Sequence, residues 1–199
     1  MNDFYHSGSL GLQQEQCTTQ LAAHIRDRYV TDRLTDEGRA MISAADCVFL
    51  ATADANGRPD CSYKGGLPGF IQVFDSHTIG IPNYDGNGMF RSLGNIRVNP
   101  AVGLLFIDFE KPGRLRVNGD ATVHTDGPLL DQLRADADAV TVVSVRQAFE
   151  NCPRYIHNHR TGQYSKHCPR PDYLPPDPEW KLKSEYDGIV RRNSGSHAR

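Results

Sequence analysis

Residues 81–98, Ile-Pro-Asn-Tyr-Asp-Gly-Asn-Gly-Met-Phe-Arg-Ser-Leu-Gly-Asn-Ile-Arg-Val, contain the sharpest change of pattern in the chain. A short apolar run ends at Ile81, and Pro82 is expected to stop it. Small and polar residues follow, and from about Gly88 the spacing of Phe90, Leu93 and Ile96 predicts a helix. Such a loop leaves backbone N–H groups unpaired at the helix start, where they and the helix dipole favour an anion. Arg91, early in that helix, adds a cation that can hold phosphate bidentately. The same pattern also suits a loop and helix that bind nothing, so the flanking sequence has to decide.

Upstream, 47–52 is a short β-prone run, and Asp54-Ala55-Asn56-Gly57 follows it as a turn. The next strand, 59–64, alternates: Asp60, Ser62 and Lys64 share one face, Cys61 and Tyr63 the other. Gly65-Gly66-Leu67-Pro68-Gly69 breaks it, and 70–74 and 78–81 form a hairpin around Asp75-Ser76. Downstream, 102–109 is almost unbroken apolar sequence, as in a strand buried on both faces. Its partner, 114–124, alternates strictly, with Leu115, Val117, Gly119, Ala121 and Val123 on one face. Six short strands with one helix between the fourth and fifth predict a mainly β (α+β) fold built on a small six-stranded antiparallel barrel. A helix from 129 to about 138, a strand over 140–145 and a helical turn over 147–151 complete this part.

Before the barrel, 12–30 is expected to be helical, with Leu21, Ile25 and Tyr29 on one face, after an irregular arm over 4–9. Thr35 is a suitable N-cap for a second helix running to about Ala45. Beyond about Arg160, Pro169, Pro171, Pro175, Pro176 and Pro178 stand among charges, which predicts an irregular tail anchored by Trp180. The expected organisation is an arm with helices over 1–45, a barrel with its final segment over 46–158, and a tail over 159–199.

The chain has 199 residues and a formal net charge of −2, so electrostatics give no case for nucleic acid or an acidic membrane. Its five cysteines, Cys17, Cys47, Cys61, Cys152 and Cys168, show no close-pair spacing and read as reduced thiols of a cytoplasmic protein. No apolar run approaches a membrane span, and Met1-Asn2-Asp3-Phe4 lacks the basic start of a secretory signal. His157, His159, His167 and Cys168 lie close together but fit no standard zinc spacing, so no metal is expected. There is no Gly-x-Ser-x-Gly elbow, Walker loop or Cys pair, which removes the commonest hydrolase, nucleotidase and dithiol readings.

Three groups could carry chemistry. Ser62 and Lys64 are either a solvated strand face or a hydroxyl and a cation presented to a ligand, with Gly65 and Gly66 letting a flat molecule approach the backbone. The helix start around Arg91 is the second. The third is Asn151-Cys152-Pro153-Arg154-Tyr155, a turn that sets a thiol, a cation and an aromatic side by side.

In their order, these features resemble the pyridoxamine 5'-phosphate oxidase-like flavoproteins of the FMN-binding split-barrel type, in particular a branch of predicted flavin-nucleotide-binding proteins. The resemblance runs from about Phe4 to Ile156. It rests on Tyr5-His6-Ser7-Gly8, Asp54-Ala55-Asn56-Gly57-Arg58-Pro59, Ser62-Tyr63-Lys64-Gly65-Gly66-Leu67-Pro68-Gly69-Phe70 and Gly86-Asn87. It continues through Ser92-Leu93-Gly94-Asn95-Ile96, Asn99-Pro100-Ala101-Val102-Gly103-Leu104, Arg116-Val117-Asn118-Gly119 and Asn151-Cys152-Pro153-Arg154-Tyr155.

The resemblance implies a homodimer with FMN in clefts between subunits and an FMN-dependent oxidoreductase acting on a small planar or conjugated substrate, with a nicotinamide as a possible electron donor. It implies that Ser62, Tyr63, Lys64 and Gly65 run along the cofactor from the second strand. Pro82, Asn83, Asn87, Arg91 and Ser92 would come from the loop and helix, Arg116 from its strand, and Cys152, Arg154 and Tyr155 from the other subunit. Gly88 stands where many relatives carry a basic residue, so either Arg91 supplies the phosphate charge or the phosphate is gripped less strongly than usual. The alternatives are a deazaflavin in place of FMN, or a flavin- or haem-binding module without turnover. No catalytic acid–base pair is evident.

Overall fold

The computed structural model describes residues 4–128 and 137–192, in two compact units: Thr31–Cys152, and Met1–Val30 with Pro153–Arg199. Among the described residues the larger unit contains seven strands: β1 (Cys47–Ala53), β2 (Pro59–Gly65), β3 (Gln72–Val73), β4 (Thr78–Asn83), β5 (Ala101–Asp108), β6 (Gly113–His124) and β7 (Ala139–Glu150). They form one antiparallel sheet in the order β2-β1-β5-β6-β7-β4-β3. Two helices of this unit accompany it: α3 (Asp36–Ala44) and α4 (Arg91–Val98).

This is the antiparallel α+β architecture expected, with seven strands in place of six. The seventh changes the reading most. β7 is central, paired with β6 on one side and β4 on the other. It runs on through Gln147 to Glu150, where a helical turn was expected. A bulge causes this: Asn118 pairs with Gln147 but Gly119 with Val145, so Arg146 is the extra residue. Inward positions fall on Val143 and Val145 before the bulge and on Ala148 after it. That change of phase resembles helical spacing in a bare sequence. At Gly119 a Cβ would lie 2.2 Å from the Ser144 carbonyl oxygen, so only glycine allows the two strands this approach.

Pro82 does not end the fourth strand. β4 continues to Asn83, with Pro82 opposite Val140. β3 reaches only Gly80 and Ile79, so the later part of β4 has one unpaired edge, where a proline is tolerated. β3 itself is two residues long rather than the five expected. The turn after β1 forms as its residues demand: Asp54 Oδ1 accepts from the Asn56 and Arg58 N–H groups, and Gly57 takes φ +77°.

The core lies between the sheet and its helices, with Val48, Leu50, Ile79, Ile81, Leu104, Phe106, Val117 and Val143 all buried. Ile42 brings α3 onto it, and Thr35 caps that helix by accepting from the Gly38 N–H at 3.1 Å. α4 contributes Leu93 and Ile96 and packs on β1, β2 and β6. On the opposite face β5 leaves Gly103, Leu105 and Ile107 only half-buried, so it is not covered on both sides.

In the other unit, α1 (Ser7–Glu15) begins inside the stretch read as an irregular arm. The single helix expected over 12–30 is divided, and α2 (Thr19–Tyr29) follows a break at Cys17, whose φ is +54°. The tail is held by Tyr186, which is 1% exposed. Its hydroxyl lies 2.9 Å from that of Tyr29, and His24 and Trp180 stand edge-on to its ring at 5.1 and 5.0 Å. Trp180 thus supports the anchor rather than being it. The helix expected over 129–138 falls almost wholly outside the described residues. Among the described residues no helix is long and apolar enough to cross a membrane.

Candidate functional site

β2 is an edge strand, and its polar residues decide where the site lies. Asp60, Ser62 and Lys64 pair with Thr52, Leu50 and Val48 of β1, residues of the core face. They therefore share the interior side of the sheet and are not a solvated strand face. Their strand projects past the apolar core, and the start of α4 lies across from them. Ser92 of α4 donates a hydrogen bond to Ser62 Oγ at 3.0 Å, and one turn further on Asn95 donates to Thr52 Oγ1 at 3.0 Å.

Between β2, the end of β4 and α4 is a cleft of about 380 Å³. It gathers Ser62, Lys64, Asn83, Asn87, Arg91 and Ser92, six of the residues expected at a cofactor. The loop over it follows local rules: Asn87 Oδ1 accepts from the Met89 N–H, and Gly88 takes φ +73°. Helix α4 begins at Arg91, three residues later than the spacing suggested, because Phe90 sits in the left-handed region at φ +49°. No side chain caps this helix. The N–H groups of its first residues lack intrahelical acceptors and carry the positive end of the helix dipole.

The charges are mixed. Burial pushes the Lys64 ammonium below the ordinary lysine value, and the Asp60 carboxylate works in the opposite direction. Arg91 Nε stands 3.8 Å from Asp60 Oδ2. Asn83 is 6% exposed; its amide N–H₂ donates to the Ile81 carbonyl and Thr141 Oγ1, while its Oδ1 is buried with no partner among the described residues. The Ile81 carbonyl can only accept, which fixes the amide orientation and leaves Oδ1 facing an unmet need for a donor.

The family model for pyridoxamine 5'-phosphate oxidase matches residues 34–176, well over half of the chain. The chain belongs to the pyridoxamine 5'-phosphate oxidase family. The chain is also similar to solved structures. A HupZ variant from Group A Streptococcus is 22% identical at a TM-score of 0.50, covering 59% of this chain and 99% of its own. A protein described as a putative pyridoxamine 5'-phosphate oxidase from Lactobacillus delbrueckii is 24% identical at 0.49, covering 60% and 95%. An FMN-binding protein from Syntrophomonas wolfei is 13% identical at 0.47, covering 71% and 98%. The sheet is thus of the split-barrel type of this family. Comparison with curated sequences gave no match.

The remaining residues expected at the cofactor are placed differently. Tyr63 is on the other face of β2, 63% exposed and edge-on to Phe49 at 5.9 Å. Arg116 is on that same outer face, opposite Leu105, with its guanidinium carbon 5.1 Å from the Phe149 ring centre. Pro82 is buried within β4. Gly65 and Gly66 serve the protein's own rings: a Cβ would come within 2.8 Å of Tyr63 and 2.6 Å of Phe70. Cys152 ends the larger unit, half-buried, while Arg154 and Tyr155 belong to the other unit, the guanidinium 5.3 Å from the Tyr155 ring centre.

Two cleft residues carried little signal in the sequence. Asp60 is placed by its alternation with Ser62 and Lys64, yet nothing nearby marks it as a partner of Arg91. Asp138, which also lines the cleft, borders residues outside the description. Among the described residues no three of His, Cys, Asp or Glu gather as a metal site.

Proposed function

We propose that the chain binds FMN in this cleft and serves as an FMN-dependent oxidoreductase for a small planar or conjugated substrate. The observation that carries the reading is the uncapped start of α4 opening onto Lys64, Ser62 and Arg91 in one cleft. A phosphate there would meet backbone N–H groups, the guanidinium of Arg91 and the Ser62 hydroxyl, the combination that suits a phosphate monoester. Ser62 accepts from Ser92, so its own proton is free to donate to an anion. The orphaned Asn83 Oδ1 suits a ligand with a ring N–H, which a flavin has. The residues present therefore fit the group.

When bound, the flavin would supply the hydride chemistry. The chain's part is to hold and orient it. Lys64 is the cation best suited to respond to charge: partial burial disfavours its protonated form, and a nearby negative charge would restore it. Asn83, pinned by two acceptors, offers a fixed point for the ring edge.

A homodimer completes the proposal. The register sets Tyr63, Phe49, Leu105 and Arg116 in one row across the outer face of β2, β1, β5 and β6. Cys61, Ala51, Gly103 and Asn118 form the next row, nearly flat. A second copy of this chain is the proposed cover for that face.

The direct test compares FMN with riboflavin, which shares the ring but lacks the phosphate. Arg91→Ala should weaken FMN by about ten- to hundredfold relative to riboflavin, as expected for one charge-assisted contact of about 1.5–3 kcal/mol. Equal loss of both ligands would place the phosphate away from α4.

A further inference from the structure

The cleft that suits a phosphate also contains groups that oppose one. Among the described residues three carboxylates line it, Asp60, Asp85 and Asp138, beside two cations, Lys64 and Arg91. Acidic groups thus stand among the cations that would receive an anion. The arrangement is sharpest at β2. Asp60 Oδ2 is 3.8 Å from Arg91 Nε, and the Asp60 side chain is 26% exposed while that of Arg91 is 62% exposed. Asp60 is the less exposed member, on a strand, and Arg91 the more exposed one, at the helix start.

We propose that Asp60 sets how strongly the cleft prefers a phosphorylated ligand over a neutral one, by competing with a bound phosphate for Arg91. In the ligand-free protein the carboxylate holds the guanidinium beside β2. A phosphate at the α4 start gains Arg91 only by drawing it from Asp60, and its own charge is repelled by the carboxylate that remains. Lys64, two residues along the same strand face, feels the same carboxylate as a favourable charge. One acidic side chain thus weakens the net attraction of both cations for an anion. The result is a cleft that relies on its backbone donors and its shape as well as on charge to take a phosphate ester. Ligands joined to an apolar ring system would be favoured over free inorganic phosphate, which brings charge and little else. Asp60 is a specificity-determining residue, not a ligand-binding one.

This inference rests on the reading of the cleft as a phosphate site, and the test separates the two. Dissociation constants for FMN, riboflavin and inorganic phosphate are measured on the full chain, for wild type, Asp60→Asn, Arg91→Ala and the double variant. Asp60→Asn keeps the side chain's size and should bind FMN about three- to tenfold more tightly, the scale of a partly exposed ion pair plus relief of repulsion. Inorganic phosphate, followed by broadening of its ³¹P resonance, should gain by a similar factor, and riboflavin should stay within about twofold. Most of the gain should vanish when Arg91→Ala is already present. A gain for phosphate in a protein that binds no flavin would defeat the flavin reading while leaving the role of Asp60 standing. An Asp60→Asn protein with unchanged FMN and phosphate affinity, or with riboflavin gaining equally, would overturn the proposal.

Discussion

Ser92 on α4 donates its hydroxyl proton to Ser62 on β2 at 3.0 Å, joining the helix start to the sheet edge across the floor of the cleft. Ser92 is buried and Ser62 half-buried. The bond holds both the uncapped N–H groups and the free Ser62 proton in place for one ligand. Ser92→Ala should leave the fold intact and lower FMN affinity about two- to tenfold, the range of one neutral hydrogen bond worth about 0.5–1.5 kcal/mol. Flavin fluorescence titration with circular dichroism as the fold control measures both.

Lys64 is a cation that burial disfavours. Its folded pKa lies below the unfolded one, so below the folded pKa the protein bears the full cost of the buried charge. As pH rises from the folded pKa to the unfolded value, about 10.4, the folded state gives up the proton first and stability increases. Lys64→Met should therefore raise the ligand-free melting temperature at pH 7, by about 1–3 °C for a domain of this size. Thermal melts at rising alkaline pH should show that difference shrinking, while FMN affinity at pH 7 falls.

Much of this site was legible before the fold was known. Period-two alternation put Asp60, Ser62 and Lys64 together, and helical spacing put Leu93 and Ile96 inward, so β2 and α4 could be expected to face one cleft. Alternation could not say that this polar face points inward. Polar residues usually mark the wet side, and here they belong to an edge strand that overhangs the core. β7 was misread because the bulge at Arg146 changes which residues point inward, from Val143 and Val145 to Ala148. Pro82 was misread because its tolerance depends on how far β3 reaches. Asp60's partnership with Arg91 spans thirty-one residues and has no local signature. Tyr186 likewise looks like any tail residue until Tyr29 is found against it.

Gly119 tests the central crossing of the sheet. A methyl group there would meet the Ser144 carbonyl, a backbone atom that cannot rotate away. Gly119→Ala should destabilise the larger unit by about 1–3 kcal/mol, the usual cost of overpacking, and lower the urea midpoint without a large change in slope.

Tyr186 tests the other unit. Tyr186→Phe keeps the ring between His24 and Trp180 but leaves the Tyr29 hydroxyl without its 2.9 Å partner. The expected loss is about 0.5–1.5 kcal/mol. Trp180 is the chain's one tryptophan and lies 5.0 Å from the Tyr186 ring, so its fluorescence reports this unit directly. Its unfolding transition should move to lower urea in the variant.

The account stands most directly on what the cleft holds. Purified protein should be yellow, with flavin absorption bands, or should become so on titration with FMN. The compound released by denaturation should have the mass of FMN. A colourless protein that takes up no FMN on titration, with its fold intact by circular dichroism, would contradict the assignment of the α4 cleft as a flavin phosphate site.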